Sequence, residues 1–95
     1  MAKVCILGGG SWGIGLSVVL HKNGHEVTIW SIMKDEVKML RTKRQHETKL
    51  PGVILPEKIE ITNDLKKAMM DKDVLVLAVP SAFTRSTARS MKAFL

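Results

Sequence analysis

The chain has 95 residues, a formal net charge of +6, 45% hydrophobic residues and one cysteine. That length allows one domain at most, the ordinary apolar content excludes a disordered or low-complexity segment, and a lone cysteine excludes an intrachain disulfide. The basic residues are spread along the chain, Lys34, Lys38, Arg41, Lys43 and Arg44 around one stretch and Arg85, Arg89 and Lys92 along another, as solvated helix faces are, with mild attraction for a phosphorylated ligand as the second reading.

Lys3–Leu7 reads as a first strand, with Val4, Cys5, Ile6 and Leu7 as its apolar run. It is too short for a signal peptide, and no run in the chain reaches transmembrane length. Cys5 is expected to be a small buried strand residue rather than a nucleophile. Gly8-Gly9-Gly10-Ser11-Trp12-Gly13 follows directly, and a helix is expected over Ser11–Lys22, where Trp12, Leu16, Val19 and Leu20 recur at helical spacing. Asn23-Gly24 ends it in the manner of an αL cap. A second strand is expected over 26–31, with Val27, Ile29 and Trp30 apolar. A second helix follows over 34–44, with Met33, Val37 and Leu40 on one face.

Residues 45–57, with Pro51, Gly52 and Pro56, read as a loop. Over 58–62, Ile59 and Ile61 alternate with Glu60 and Thr62, as in a half-buried strand. Thr62 or Asn63 is placed to cap a short third helix running to about residue 70. After Asp73, the unbroken apolar run 74–79 has the character of a central parallel strand buried on both faces. Pro80 ends it, and Ser81 caps a last helix on which Phe83, Thr87, Met91 and Leu95 share a face.

Strand and helix alternating four times is the pattern of a doubly wound, Rossmann-type α/β parallel sheet. Ligands of such sheets bind at the carboxyl ends of the strands, and three segments converge there: the glycine turn, Ser31-Ile32, and Val79-Pro80-Ser81. Strand, G-x-G-x-x-G and helix in that order form a dinucleotide-binding fingerprint. Gly8 turns the chain off the strand, Gly10 lets a pyrophosphate approach the backbone, and Gly13 lets the helix pack on the sheet. The helix N-terminus then presents N–H groups and a positive dipole end to the anion. Gly-rich strand-to-helix turns also occur where no nucleotide binds, and the bland reading weakens here because the motif sits on the first strand with a second strand at the expected distance. The sheet edge beyond the fourth strand would have no partner, and exposed edges are avoided. The chain is therefore expected to be the N-terminal portion of a longer protein, with a sheet incomplete at its C-terminal end.

Four segments together carry a resemblance: Gly8-Gly9-Gly10-Ser11-Trp12-Gly13, Asn23-Gly24-His25-Glu26-Val27-Thr28-Ile29-Trp30-Ser31, Leu50-Pro51-Gly52 and Ala78-Val79-Pro80-Ser81. In their joint spacing they closely resemble glycerol-3-phosphate dehydrogenase of the bacterial NAD(P)-dependent type, from Lys3 to the end of the chain. The resemblance implies a Rossmann N-terminal half, a helical C-terminal half, and reduction of dihydroxyacetone phosphate to sn-glycerol 3-phosphate for phospholipid synthesis. It implies cofactor contacts at Ser11 and Trp12, at Ile32 just after the second strand, at Lys49, and from Pro80 to Phe83. The family's catalytic lysine and its glycerol-phosphate-binding residues lie beyond residue 95, so no catalytic residue is assigned in this chain. The implied partners are NAD or NADP, the phosphorylated substrate and, as a homodimer, a second copy. Nucleic acid is not among them: the basic residues do not alternate with aromatics, of which there are four. A cytoplasmic setting is expected.

Two departures bear on the cofactor. Many bacterial members carry Arg or His at the position of Ile32, where a cation meets the 2′-phosphate of NADP. Ile32 cannot do so, while Lys34 could still reach such a phosphate. No acidic residue ends the second strand to bind a ribose 2′-OH, since Asp35 and Glu36 fall slightly late. The balance leans to NAD. At Lys49 the family usually has an aromatic residue. His21 is expected on a helix surface, His25 in the helix-to-strand turn and His46 in a polar loop. Rival readings are another Rossmann dehydrogenase, such as a ketopantoate reductase or a 6-phosphogluconate-type enzyme, and a nucleotide-sensing module.

Overall fold

The computed structural model describes residues 1–47, 50, 52–79 and 81–94, with residues 81–83 described by their backbone alone. Its strands are β1 (Lys3–Leu7), β2 (Glu26–Trp30), β3 (Glu60–Thr62) and β4 (Val74–Leu77), and its helices are α1 (Ser11–Lys22), α2 (Lys34–Lys43), α3 (Leu65–Met69) and α4 (Ser81–Met91), the last followed by a 3₁₀ turn at Lys92–Phe94. The four strands form one sheet in the order β3-β2-β1-β4, and all three pairings are parallel. From β1 the chain winds outward to β3, then returns across the sheet to β4. The topological switch point therefore lies between β1 and β4, where ligands of open α/β sheets bind.

Alternation along β1 builds two cores. Val4 and Ile6 point to one face, where they join Val27, Ile29 and Ile61 under Ile14 of α1 and Val37 and Leu40 of α2. Cys5 and Leu7 point to the other, where they join Trp30 and Ala68, with Leu65, Leu75, Val79 and Met91 packed against them. Covering both faces is what near-continuous apolar strands need. Each fully buried Ile or Leu contributes about 1.5–3 kcal/mol.

Local chemistry sets the element ends. Gly24, at φ +86°, closes α1: its N–H donates to His21 O at 3.0 Å and the N–H of His25 to Leu20 O at 3.1 Å, a Schellman arrangement around Asn23. His25 lies in that turn as expected, its Nδ1 accepting from Ala2 N at 3.0 Å. Asp73 opens β4 by accepting from Lys3 N at 2.8 Å and donating its own N–H to Lys3 O at 2.7 Å.

Five expectations need correction. The α1 face that packs inward carries Gly13, Ile14 and Ser17, whereas Trp12 is 62% and Val19 54% exposed. Small residues let the helix lie closer to the sheet than a large apolar stripe would, and Ser17 Oγ turns back onto Gly13 O at 2.7 Å. On α2, Met33 is exposed and Glu36 is buried beside Val37 and Leu40. The α3 cap is neither Thr62 nor Asn63 but Asp64, whose Oδ1 accepts from Lys67 N at 3.2 Å. Arg44 is not a solvated cation: it caps α2 at φ +55°, and its guanidinium donates to Pro56 O and Ile59 O at 2.5 and 2.8 Å, tying down the long loop. Finally, β4 is not central among the described residues. It pairs only with β1, and Val74 and Leu77 stay exposed because no strand covers its other edge.

Cys5 is fully buried, and burial pushes its thiol up from 9.0 to about 11, against a smaller opposing pull from the Lys72 charge. Below pH 9 the thiol is protonated in folded and unfolded chains alike and has no effect on the balance. Between pH 9 and 11 only the unfolded chain releases the proton, so stability must fall across that window. At pH 8 a thiol reagent should label the native protein at least ~100-fold more slowly than the unfolded chain. In alkaline melts, Cys5→Ala should flatten the decline between pH 9 and 11. Rapid labelling of the native protein, or an unchanged slope in the variant, would contradict this assignment.

Candidate functional site

The carboxyl ends of the strands lie level. Leu7 pairs with Trp30 and with Leu77, and Trp30 with Thr62. Beyond them Gly8 N donates to Trp30 O at 2.7 Å, Ala78 N to Leu7 O at 2.8 Å and Ser31 N to Thr62 O at 3.2 Å. The glycine loop, the β2–α2 turn and the end of β4 therefore lie side by side at the carboxyl end of the sheet, where the sequence reading expects a ligand crevice; Pro80 of its third segment lies outside the described residues.

Gly8 is forced twice over. Its φ is +140°, and a Cβ there would lie 2.5 Å from Ala78 O. A Cβ at Gly13 would run into the carbonyl of Gly8 and come within 3.3 Å of Ile6 Cγ2. Gly10 is the N-cap of α1, in extended backbone at φ −81° and ψ −175°, with no side chain to bond the first-turn N–H groups. No acidic residue stands in that first turn either. By contrast, Asp64 caps α3, and Asp35 and Glu36 occupy the first turn of α2. The α1 terminus therefore carries a positive dipole end that no side-chain cap or first-turn acid offsets. Ser11 and Trp12, the next two residues, are both exposed.

Ile32 stands at the opposite wall, 51% exposed, directly after the buried Ser31. Asn63 fixes this turn: its Nδ2 donates to Ser31 O at 2.9 Å and to Ile32 O at 3.2 Å, while its carbonyl accepts from Trp30 Nε1 at 2.9 Å. Lys34 and Asp35 are exposed beyond it. Lys49 and Pro80 lie outside the described residues, as does the side chain of Phe83, whose backbone belongs to α4.

Glu36 and His46 form a buried polar pair that the sequence reading did not anticipate. Glu36 is only 7% exposed and sits behind the crevice. Its Oε1 accepts from Ser31 Oγ at 2.7 Å, and its Oε2 lies 3.1 Å from Nε2 of the buried His46. A Cβ added to Gly9 would come within 2.5 Å of Oε1. His46 is thus part of a packed polar cluster rather than a polar loop. A signal for Glu36 exists: it shares the apolar face of α2 with Val37 and Leu40, and an acid on such a face requires partners. Among the described residues no group of His, Cys, Asp and Glu is placed to hold a metal ion, and no helix is long and apolar enough to cross a membrane.

Comparison with known proteins is consistent along the whole chain. The family described as NAD-dependent glycerol-3-phosphate dehydrogenase N-terminus matches residues 3–95. The glycerol-3-phosphate dehydrogenase (NAD(P)+) of Fusobacterium nucleatum is 52% identical over 92 residues, covering 97% of this chain and 28% of the relative. That of Agathobacter rectalis is 54% identical over 94 residues, covering 99% of this chain and 28% of the relative. Among solved structures, glycerol-3-phosphate dehydrogenase from Coxiella burnetii superposes with a TM-score of 0.93 at 30% identity over 99% of this chain and 29% of that one. The chain thus spans between a quarter and a third of the length of these relatives. With a family match over residues 3–95 and relatives alike along almost the whole chain, the chain belongs to the NAD-dependent glycerol-3-phosphate dehydrogenase N-terminal family.

Proposed function

We propose that this chain is the dinucleotide-binding portion of an NAD(P)-dependent glycerol-3-phosphate dehydrogenase, which reduces dihydroxyacetone phosphate to sn-glycerol 3-phosphate for glycerophospholipid synthesis. The observation that carries the reading is the glycine turn at the switch point, opening on an α1 terminus with no side-chain cap and no acidic first-turn residue. The crevice fits a dinucleotide. A cradle with no room for side chains at Gly8 and Gly13 leads to first-turn N–H groups suited to a pyrophosphate. The exposed Ile32 lies at the level where the adenosine ribose would rest on the end of β2.

In this reading Gly8, Gly10 and Gly13 shape the loop, and Ser11 and Trp12 face the pyrophosphate side. Ile32 lines the adenosine side, and the family resemblance adds Lys49, Pro80 and Phe83 as cofactor contacts. When bound, the cofactor supplies the hydride, and the protein supplies orientation and electrostatics. The chain's residues bind and orient. The general acid that protonates the developing alkoxide belongs to the part of the enzyme beyond this chain, together with further strands and a helical substrate domain. The share of the relatives that the chain spans supports that division. The family match over residues 3–95 favours this reading over a ketopantoate reductase or a nucleotide sensor. NAD is favoured over NADP because Ile32 offers a 2′-phosphate neither charge nor donor.

Gly10→Val in the full-length enzyme separates binding from folding. The backbone of Gly10 is one that any residue adopts, so the melting temperature should move by less than about 5 °C. A side chain in the pyrophosphate's space should weaken NADH binding by at least ~100-fold. Unchanged affinity in a fluorescence titration would show that the loop cradles no phosphate.

Ile32→Arg should raise the ratio of NADPH to NADH use. A guanidinium binds a 2′-phosphate bidentately, and a charge-assisted hydrogen bond is worth roughly 1.5–3 kcal/mol. Solvent screening at this open position pulls the gain toward about tenfold. The check is kcat/KM for both cofactors at two salt concentrations. A ratio that does not move would place residue 32 away from the adenosine ribose.

A further inference from the structure

Glu36 belongs to α2, yet its carboxylate touches both walls of the crevice. On one side Oε1 accepts the Ser31 hydroxyl at 2.7 Å. The same hydroxyl oxygen accepts from Met33 N at 3.1 Å, so it ties together the turn that presents Ile32. On the other side Oε1 fills the space that a Cβ on Gly9 would occupy. From below, His46 meets Oε2 at 3.1 Å, and an antiparallel bridge from His46 to Leu50 carries the long loop to the same place. A buried carboxylate gripped from two sides cannot swing away without leaving its partners unsatisfied.

We infer that Glu36 is a positioning residue for the dinucleotide: held by Ser31 and His46, its carboxylate sets the height of the glycine loop at Gly9 and couples that loop to the β2–α2 turn. Gly9 is the glycine that the G-x-G-x-x-G spacing leaves unassigned, and the carboxylate beneath it supplies the reason for it. The inference rests on the cofactor reading above. It adds that the two walls move as one body, through a group that does not itself touch the cofactor.

The test is a double-mutant cycle in the full-length enzyme, with Gly9→Ala, Glu36→Ala and the pair, read by NADH affinity and by melting temperature. Gly9→Ala alone should weaken NADH binding about tenfold or more, because its methyl group must push the loop off the carboxylate. In the Glu36→Ala background that penalty should shrink by about tenfold, a coupling expected of residues in contact. Melting temperatures should show coupling of the same sign. Glu36→Gln preserves the shape and an acceptor for Ser31, so it should bind NADH within about threefold of wild type, whereas Glu36→Ala should not. Additive effects of Gly9→Ala and Glu36→Ala, or a Glu36→Ala enzyme that binds NADH as wild type does, would overturn the positioning role while leaving the cofactor site intact. A wild-type enzyme that binds neither NADH nor NADPH would overturn the cofactor reading and this role with it.

Discussion

At the end of β1 three pieces of backbone and one carboxylate approach so closely that no Cβ fits between them. Gly8 lies against Ala78 O, Gly13 against the carbonyl of Gly8, and Gly9 against Glu36 Oε1. Each contact joins a different element to the loop: β4 through Gly8, α1 through Gly13 and α2 through Gly9. The level strand ends, the seating of α1 on Ile6 and the outward aim of its first turn all depend on this crowding. A substitution at Gly8 or Gly13 meets backbone and shifts whole elements, because close-packed interiors transmit strain rather than absorb it.

The same crowding explains why α1 can present its N-terminus unblocked. A helix start normally gains about 1 kcal/mol from a capping side chain, and α1 has none. Its place is secured instead by packing of Gly13, Ile14 and Ser17 against the sheet, so the first turn stands without a side-chain cap.

Much of the fold is legible because it follows from local chemistry. The apolar run of Lys3–Leu7, the glycine turn and the Asn23-Gly24 stop locate β1 and α1 to the residue. The regularity of apolar spacing locates β2 and α2 with ends one residue shorter than read. What is not legible depends on tertiary partners. Trp12 and Val19 look like core residues by spacing, and only the closeness of α1 to the sheet turns Gly13 and Ser17 inward instead. The run from Val74 reads as central because it is unbroken, but centrality is a property of neighbours, and among the described residues β4 pairs only with β1. Glu36 and His46 are ten residues apart in sequence, and polarity alone suggests solvent for both. Their burial comes with the contact between them, Glu36 Oε2 lying 3.1 Å from His46 Nε2, which sequence separation hides. Gly8 turns the chain off β1 and Gly13 packs α1 on the sheet, as read from the motif, while the carboxylate of Glu36 is marked only by its place on the apolar face of α2.

The central claim is that a dinucleotide lies across the carboxyl ends of β1 and β2 with its pyrophosphate on the start of α1. A crystal structure of the full-length enzyme with NAD tests this most directly. The account predicts pyrophosphate oxygens within hydrogen-bond distance of the first-turn N–H groups after Gly10, with the adenosine ribose beside Ile32. A dinucleotide bound elsewhere on the sheet, or a pyrophosphate held by side chains away from the α1 terminus, would contradict it.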